Sequence, residues 1–522
     1  MSDAEKNDGG LTRREFAKTV AAGVAAVATA HSLSGLEAHA ASGSSKMTEA
    51  AAGQISSTGP KEKTAIEMIS ETALKVRFED LDEQTIKMGK DRIFDLTGCI
   101  IGGAMASGNA GLVKIIRDMG GKQEAPLFIH GGRVPLGHAA MVNSISCRSN
   151  DFGVMSIKVG GRWIAAHHGE TTIPTALTFS DVYNVSGKEF LTTALVGDDT
   201  VGRVLAAGEW DLKMWDGTMC LPVFGVVPIA GRFMGLSATQ VRDAFGISIN
   251  TIAGAIQSLW DDSLCFKLGQ GLSARNGIFA AQLAKEGWTG LEDALFGGGR
   301  GFYFIYRGTN QIPHPELLTQ DLGKKFYQEE FFKRFPCGNP NHAFVYAALA
   351  LNKQYGLKAG DIREVELANA SGEGGYYGQP FRVRASPQAS GIFSFQYTTV
   401  SALLRGRLKV RDFDTEAVTA PEMLETIAKS KLVKDPTLAG GQGKVGSVRI
   451  RVTTNDGKVY EKLEEGGVAD KYPTREEILS KFWDQVDAYQ SVSRAKAQKI
   501  LDMIDRIEDV KEMKEYTELL MP

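Results

Sequence analysis

The sequence predicts a mainly α-helical protein with a smaller α+β domain. In residues 217–290, apolar side chains recur at three- and four-residue spacing, which is typical of helices that pack closely against one another. From about Phe335 the pattern changes, and two apolar runs flank Asn455, Asp456 and Gly457, which predicts a β-hairpin. Residues 475–486 and 493–507 then return to amphipathic helical spacing, and we expect them to pack back on the first helical part.

Length and composition indicate an ordinary globular protein. The chain has 522 residues, of which 43% are hydrophobic and 23% charged, and this length allows two or three domains. A net charge of −3 gives no support for nucleic acid or an anionic membrane as a partner. After the N-terminal region no segment has roughly 18 uninterrupted apolar residues, so we expect no membrane span in the mature chain.

The N-terminal residues 1–40 have the features of a twin-arginine signal peptide. Arg13 and Arg14 lie in a match to the export motif, an alanine-rich run follows, and small residues precede Ala41. The alternative is an amphipathic N-terminal helix with two chance arginines. We expect the twin-arginine export machinery as a partner, and a periplasmic or otherwise exported mature protein. Residues 41–60, rich in Ser, Gly and Ala, are predicted to be a linker.

The cysteines are scattered and odd in number, and none has CxxC spacing. We expect buried thiols, with no metal site at these positions. The five are Cys99, Cys147, Cys220, Cys265 and Cys337.

Within residues 217–290 the helix boundaries can be placed from capping signals. Pro222 suits a first helical turn, and Ser237 with Gln240 forms a capping box for the next helix. A third helix is expected over residues 272–285, and Thr289 with Glu292 predicts a fourth.

Lys267 stands in a polar, glycine-rich segment between the second and third of these helices. A lysine beside a helix N-terminus and against apolar surface could meet a small anion.

The order of the segments resembles the MmgE/PrpD family, which includes 2-methylcitrate dehydratase, cis-aconitate decarboxylase and an iminodisuccinate epimerase. The resemblance extends over nearly all of the mature chain. The segments that carry it are residues 95–98, 102–104, 143–151, 167–174, 217–290, 333–337, 393–397, 402–406, 472–473 and 481–482.

The resemblance implies the domain layout. It predicts a large all-helical domain built from both chain ends, residues 61–334 and 473–522, with an α+β lid domain inserted at residues 335–472. It also implies an active site in the cleft between the domains and a homodimer that pairs through the helical domain.

The resemblance also implies the site residues, but only in part. Asp151, His167, Lys267 and Lys333 match positions of the family's active site. Histidines of the family are replaced here by Asp216, Gln270 and Gly338, an acidic run after Asp151 becomes Gly153 and Val154, and about six extra residues precede His167.

The chemistry of these residues suits proton transfer at a carbon beside a carboxylate. Such a step needs cations on the substrate and a base of suitable pKa. Lys267 and Lys333 would bind carboxylates, with Arg275 or Arg334 in reserve, and His167 would be the base or the acid that protonates a departing hydroxyl. Asp151 would orient His167 or act alongside it. Asp216 would be a second acid or base if burial raised its pKa.

Each residue also has a simpler interpretation. Asp151 can be a helix-end residue, His167 and His168 a solvated pair, and Lys333 a surface charge. His168 and His342 are expected to be structural.

The resulting hypothesis is a cofactor-independent lyase, most simply a dehydratase, that acts on a small polycarboxylate. An isomerase or epimerase of such an acid would use the same proton abstraction without a leaving group. A non-catalytic exported carboxylate-binding protein is the third alternative, and the missing histidines favour it.

Overall fold

The structure is a computed structural model that describes residues 62–208, 215–438, 446–466 and 471–522. The signal peptide and the linker predicted for residues 1–60 lie outside the described residues. Residues Thr64–Pro522 form one unit.

Helices from distant parts of the chain share a first hydrophobic core. Ile93 and Phe94 near the start of the chain lie in the same core as Ile478, Phe482 and Ile500. The helices before residue 330 are α1 (Ala65–Lys75), α2 (Glu83–Gly103), α3 (Asn109–Met119), α4 (Leu136–Arg148), α5 (Gly169–Tyr183), α6 (Gly187–Gly208), α7 (Gly217–Cys220), α8 (Val223–Met234), α9 (Ala238–Ser248), α10 (Gln257–Trp260), α11 (Leu268–Lys285) and α12 (Phe302–Arg307).

A second hydrophobic core lies between helices and a four-stranded sheet. Strands β6 (Ile362–Asn369) and β7 (Ser430–Lys434) are parallel, whereas β8 (Val448–Thr454) is antiparallel to β6 and to β9 (Val459–Glu464). The remaining helices are α13 (His342–Tyr355), α14 (Pro387–Ile392), α15 (Phe395–Arg405), α16 (Thr415–Val418), α17 (Pro421–Ala428), α18 (Arg475–Tyr489), α19 (Arg494–Asp505) and α20 (Met513–Glu518). The prediction of a mainly α protein with a smaller α+β part is confirmed, and the domain boundaries at residues 334 and 472 stay predictions.

Several predicted elements are present. The capping box of Ser237 and Gln240 opens α9, Gly235 ends α8 with a φ of 67°, and the hairpin β8–β9 turns at Asn455–Gly457. The third predicted helix, α11, begins at Leu268, one turn earlier than expected, so Lys267 is its N-cap residue.

Two helix predictions were wrong. The capping box at Thr289 and Glu292 opens no helix, because the chain there lies flat against α9: a Cβ atom on Gly246 or Gly290 would overlap the backbone of the other segment. Residues 420–432 have a helix-forming sequence and are predicted to form one helix, but the helix ends at Ala428 and residues 430–434 form β7, which pairs with β6.

The insertion before His167 forms a β-hairpin. Strands β3 (Met155–Val159) and β4 (Arg162–Ile164) join at Gly160 and Gly161, whose φ angles of 57° and 80° suit a tight hairpin turn. Strand β5 (Glu330–Phe331) pairs with the other edge of β3. Another small sheet pairs β1 (Ala125–Pro126) with β2 (Arg133–Val134).

Residues Gly217–Met234 contain the most apolar long stretch of the described chain. Their mean hydropathy of 1.4 over 18 residues would allow a membrane span by length and composition, but 89% of the stretch is buried inside the fold. A helix in a protein core has the same composition. Four of the five cysteines are buried as expected, and Cys265 is exposed.

Candidate active site

The turn after α4 carries two oppositely charged, buried side chains, Arg148 and Asp151. Asp151 has a φ of 46°, a left-handed conformation that non-glycine residues rarely adopt. Its carboxylate pairs with Arg148 and lies 2.7 Å from Lys333 Nζ, which also donates to the Asp151 carbonyl oxygen at 2.9 Å. The turn therefore holds the two cations against one carboxylate.

The charges around Asp151 determine its protonation state. Burial alone would raise its pKa, but Arg148 and Lys333 outweigh that effect and hold the pKa well below its usual range. A carboxylate that stays ionised under these conditions is a weak base. Asp151 is thus suited to position Arg148 and Lys333 rather than to transfer a proton.

His167 lies beside Glu170 at the start of α5. His167 Nδ1 is 3.3 Å from Glu170 Oε2, and the same oxygen lies 3.3 Å from Arg148 Nε. Burial and the Arg148 charge lower the pKa of His167, against the opposite effect of Glu170. The imidazole is therefore neutral near pH 7. Its Nδ1 lies at ion-pair distance from Glu170 without a directed hydrogen bond, and its Nε2 is left for a substrate.

Lys267 approaches the same turn from α11. Its ammonium group donates to Ser107 O at 2.7 Å, to Asn109 Oδ1 at 2.9 Å and to Ser149 Oγ at 3.1 Å. All three of these acceptors are neutral, and burial lowers the pKa of Lys267 to about 7. An amine in this state gains a full charge readily when an anion binds beside it.

Asp216 and Arg275 differ in their relation to this cluster. Asp216 is buried and caps α7, accepting from Thr218 N at 3.0 Å, and its charge helps to raise the pKa of Arg148. Arg275 is not brought into the cluster. It packs beside Gly137 in the first turn of α4, roughly 16 Å along the helix from Arg148, and hydrogen-bonds to Asn276.

The second core also reaches the turn after α4. Gln388 Nε2 donates to Asn150 Oδ1 at 3.0 Å, and the ring of Phe393 packs edge-on against Phe266, 5.1 Å away. Phe266 in turn faces the Arg148 guanidinium at 5.4 Å. The cluster therefore lies where the two cores meet.

Two family domains match the chain in succession. Residues 67–314 match the MmgE/PrpD N-terminal domain, and residues 335–507 match the MmgE/PrpD C-terminal domain. The chain belongs to the MmgE/PrpD family. The resemblance expected from the sequence is thereby confirmed.

The relatives of this MmgE/PrpD chain include decarboxylases. It is 24% identical to mouse cis-aconitate decarboxylase over 393 residues, which is 71% of this chain and 76% of the mouse protein. It is 26% identical to human cis-aconitate decarboxylase over 320 residues, 58% of this chain and 63% of the human protein. It is 24% identical to the cis-aconitate decarboxylase-like protein oryM of Aspergillus oryzae over 314 residues, 56% of this chain and 65% of that protein. These similarities support a lyase-type enzyme.

The structure accounts for two departures of this chain from the MmgE/PrpD pattern. Gly153 stands where the acidic run would continue, and a Cβ atom there would overlap the carboxyl group of Glu170. Gly338 stands where a histidine was expected, and a Cβ atom there would overlap the ring of Tyr377. In both places a side chain from another segment fills the space.

At Gln270, which also stands where the family has a histidine, no side chain from another segment of the described chain fills the space. It is fully buried, and neither atom of its amide group has a hydrogen-bond partner among the described residues.

Sequence reasoning missed Arg148 and Glu170, which hold the cluster together. Glu170 follows His167 by three residues, and His167 directly precedes the N-cap residue of α5, so the first helical turn brings Glu170 back beside it; that spacing was a usable signal. Arg148 gave no signal, because a basic residue in the last turn of a helix is ordinary. His168 is buried, with Nε2 2.9 Å from Glu330 Oε1, and its structural role stays a prediction.

In the parts of the chain that the structure describes, no three His, Cys, Asp or Glu residues are grouped so that they could hold a metal ion.

Proposed function

We propose that this chain is a lyase that acts on a small polycarboxylate by proton transfer at a carbon next to a carboxylate. The observation that carries the proposal is the arrangement of His167 and Glu170, with Nδ1 and Oε2 3.3 Å apart in a buried cluster of cations. The names of the decarboxylase relatives support the choice of a polycarboxylate.

In this proposal His167 is the proton-transfer group. A hydrogen bond from Nδ1 to Glu170, which a small rotation of the ring from the present 3.3 Å contact would form, would leave Nε2 free to accept a proton. In a dehydration, Nε2 takes the proton from the carbon beside the carboxylate, and the protonated ring then gives that proton to the departing hydroxyl group, which leaves as water while the carbon–carbon double bond forms. In a decarboxylation, the ring in its protonated form delivers a proton to the carbon that has lost carbon dioxide. Both steps need the same ring position.

The two lysines would bind the substrate carboxylates. Lys267 already donates to three neutral acceptors, so a substrate carboxylate would displace one of them, raise the pKa of Lys267 and hold it charged. Lys333 has two contacts to Asp151, which leaves one of its three N–H groups for a ligand. Asp151 would keep Lys333 and Arg148 in place.

The test combines hydrogen exchange with ligand affinity. Citrate, malate, 2-methylcitrate and cis-aconitate would be incubated with the protein in deuterium oxide, and label uptake and products would be followed by NMR. His167→Ala should reduce turnover by roughly 10²- to 10⁴-fold while the affinity for the acid is kept. Glu170→Gln should act in the same direction, because the ring loses its charged partner. His138→Ala, at the far end of α4, is the matched control.

Three outcomes separate the alternatives. An elimination or decarboxylation product identifies a lyase, whereas label uptake with an inverted centre and no product identifies an epimerase. Binding of these acids without any exchange from mildly acidic to mildly basic pH would contradict the enzyme proposal and favour a binding protein. Turnover that survives His167→Ala would show that His167 is not the proton-transfer group.

We also propose that the mature chain is exported and forms a homodimer. Export rests on the motif around Arg13 and Arg14. Pairing through the helical domain is supported by large exposed apolar side chains on α11 and α12, namely Phe279, Phe304 and Ile305, which are 55%, 46% and 54% exposed.

A further inference from the structure

A cavity of about 270 Å³ lies on the seam between the two cores. On one side it is lined by Asp95 of α2 and by Ile478 and Lys481 of α18, which belong with the first core. On the other side it is lined by Phe335 and Leu408, which pack with the second core. It is separate from the face on which His167 and Lys267 lie, since neither lines it.

The most buried lining residues of this seam cavity are charged. Lys481 Nζ is 2.5 Å from Asp95 Oδ1 and donates to the carbonyl oxygen of Phe152. Asp95 is 1% exposed, yet neither of its carboxyl oxygens receives a directed hydrogen bond from the described residues. Lys333, 1% exposed, lines the cavity as well. The ion pair with Lys481 offsets part of the cost of burying this carboxyl group, but its Oδ2 has no hydrogen-bond partner among the described residues, which is costly unless something else supplies one.

The walls of the seam cavity are apolar and its most exposed lining residues are cationic. Seven lining residues are apolar: Phe152, Phe332, Phe335, Leu349, Leu408, Pro473 and Ile478. Arg407 and Lys409 are 59% and 55% exposed, so they lie towards solvent. An anion that enters would meet Arg407 and Lys409 on the solvent side and Lys481 inside. Each of these cations already has an acidic partner, namely Asp412, Asp484 and Asp95, so a ligand carboxylate would share a cation rather than meet a free one.

From this arrangement we infer that the seam cavity binds a small organic acid with one carboxylate and an apolar body. The apolar body would fill the space between the phenylalanine and leucine side chains. The ligand carboxylate would share Lys481 with Asp95. Asp95 would take up one proton from solvent and donate a hydrogen bond to the ligand, as two carboxyl groups that share a site do. This ligand differs in class from the polycarboxylate of the proposed function.

The charges around Asp95 favour that proton uptake. Burial raises the pKa of Asp95 to about 6; Lys481 of α18 opposes the rise, and Glu170 of α5 and Glu330 of β5 add to it. A ligand carboxylate would raise the pKa further. Binding should therefore strengthen as the pH falls towards 6.

The seam cavity is connected to the candidate active site through two residues. Lys333 lines the cavity and pairs with Asp151, and Phe152 follows Asp151 in the chain. An acid in the cavity that attracts Lys333 would weaken its contact with Asp151, so ligands of the two sites would affect each other's affinity by the same factor.

Calorimetry on the full chain with benzoate as the probe tests the inference. Benzoate should bind saturably, benzyl alcohol at least tenfold more weakly, and the benzoate affinity should be several-fold higher at pH 6 than at pH 8. Ser480→Trp fills the cavity from its exposed side and should weaken benzoate at least tenfold, whereas Ser480→Ala should not. Asp95→Asn combined with Lys481→Met removes both buried charges without leaving either unpaired, and it should also weaken benzoate at least tenfold.

The outcomes are separable from those of the proposed function. Lack of saturable benzoate binding at millimolar concentration, or binding that Ser480→Trp leaves unchanged, would overturn the inference. Neither result bears on His167, because turnover of polycarboxylates is measured without benzoate. Lys458→Gln, on the turn of the β8–β9 hairpin, controls for a general effect of surface charge.

Discussion

Replacing Lys267 by methionine tests whether this side chain is a buried cation that lacks a counter-ion. Burial lowers its pKa from an ordinary 10.5 to about 7, and each pKa unit corresponds to about 1.4 kcal/mol. The charged form is therefore disfavoured in the folded state by about 5 kcal/mol relative to the unfolded state. Methionine has a similar shape and no charge, so Lys267→Met removes this cost.

Because folding lowers the pKa of Lys267, the free energy of unfolding should rise with pH. Below pH 7 the lysine is charged in both states, so folding carries the full cost. As the pH rises from 7 to 10.5 the folded protein holds fewer protons than the unfolded chain, so the free energy of unfolding rises. Between pH 6 and pH 9 this contribution amounts to about 3 kcal/mol in the parent.

Urea denaturation of the parent and of Lys267→Met at pH 6 and pH 9 measures this contribution to the free energy of unfolding. Three acceptors lose their donor in the variant, at about 1 kcal/mol each and with little dependence on pH. We expect the variant to be about 2 kcal/mol more stable than the parent at pH 6 and about 1 kcal/mol less stable at pH 9. Lys285→Met, on the exposed last turn of α11, is the control. A difference between variant and parent that stays constant within about 0.5 kcal/mol across this range would refute the reasoning.

Three further predictions concern packing, export and assembly. Gly338→Ala should destabilise the protein by about 1–3 kcal/mol because its methyl group overlaps Tyr377, whereas Gly360→Ala, with open space around it, should not; urea denaturation measures both. Replacing Arg13 and Arg14 by lysine should leave the precursor in the cytoplasm, and cell fractionation showing normal export would contradict the targeting proposal. Light scattering at micromolar concentration should give the mass of a dimer, and a monomer would contradict the pairing proposal.

Elements with local sequence signals could be predicted, and those that depend on a distant partner could not. The β8–β9 hairpin and the capping box at Ser237 are determined by a few neighbouring residues. Strand β7 has no comparable signal, because it is a strand only by pairing with β6, which lies about 60 residues earlier in the chain.

In the candidate site, too, some residues could be predicted from the sequence and others depend on distant partners. Asp151, His167 and Lys267 could be named from the family resemblance, but the role expected of Asp151 changed once its neighbours were known. The Arg148 charge that keeps Asp151 ionised also binds Glu170, which is 22 residues further along the chain. Which buried charges meet depends on how α4 and α5 approach each other, and the pattern of one sequence does not contain that information.

The packing of α18 on α2 also sets an order of events during synthesis. A Cβ atom on Gly102 of α2 would lie 2.8 Å from Gln485 Cβ of α18, so the glycine face of α2 is shaped for a helix made about 380 residues later. At elongation rates of roughly 5–20 residues per second, α18 is made about 20–80 s after that face. Until then its apolar surface is open to chaperones and to other chains. The first core can close only after translation has passed α18, so a ribosome that stalls within the second core would leave a nascent chain prone to aggregation.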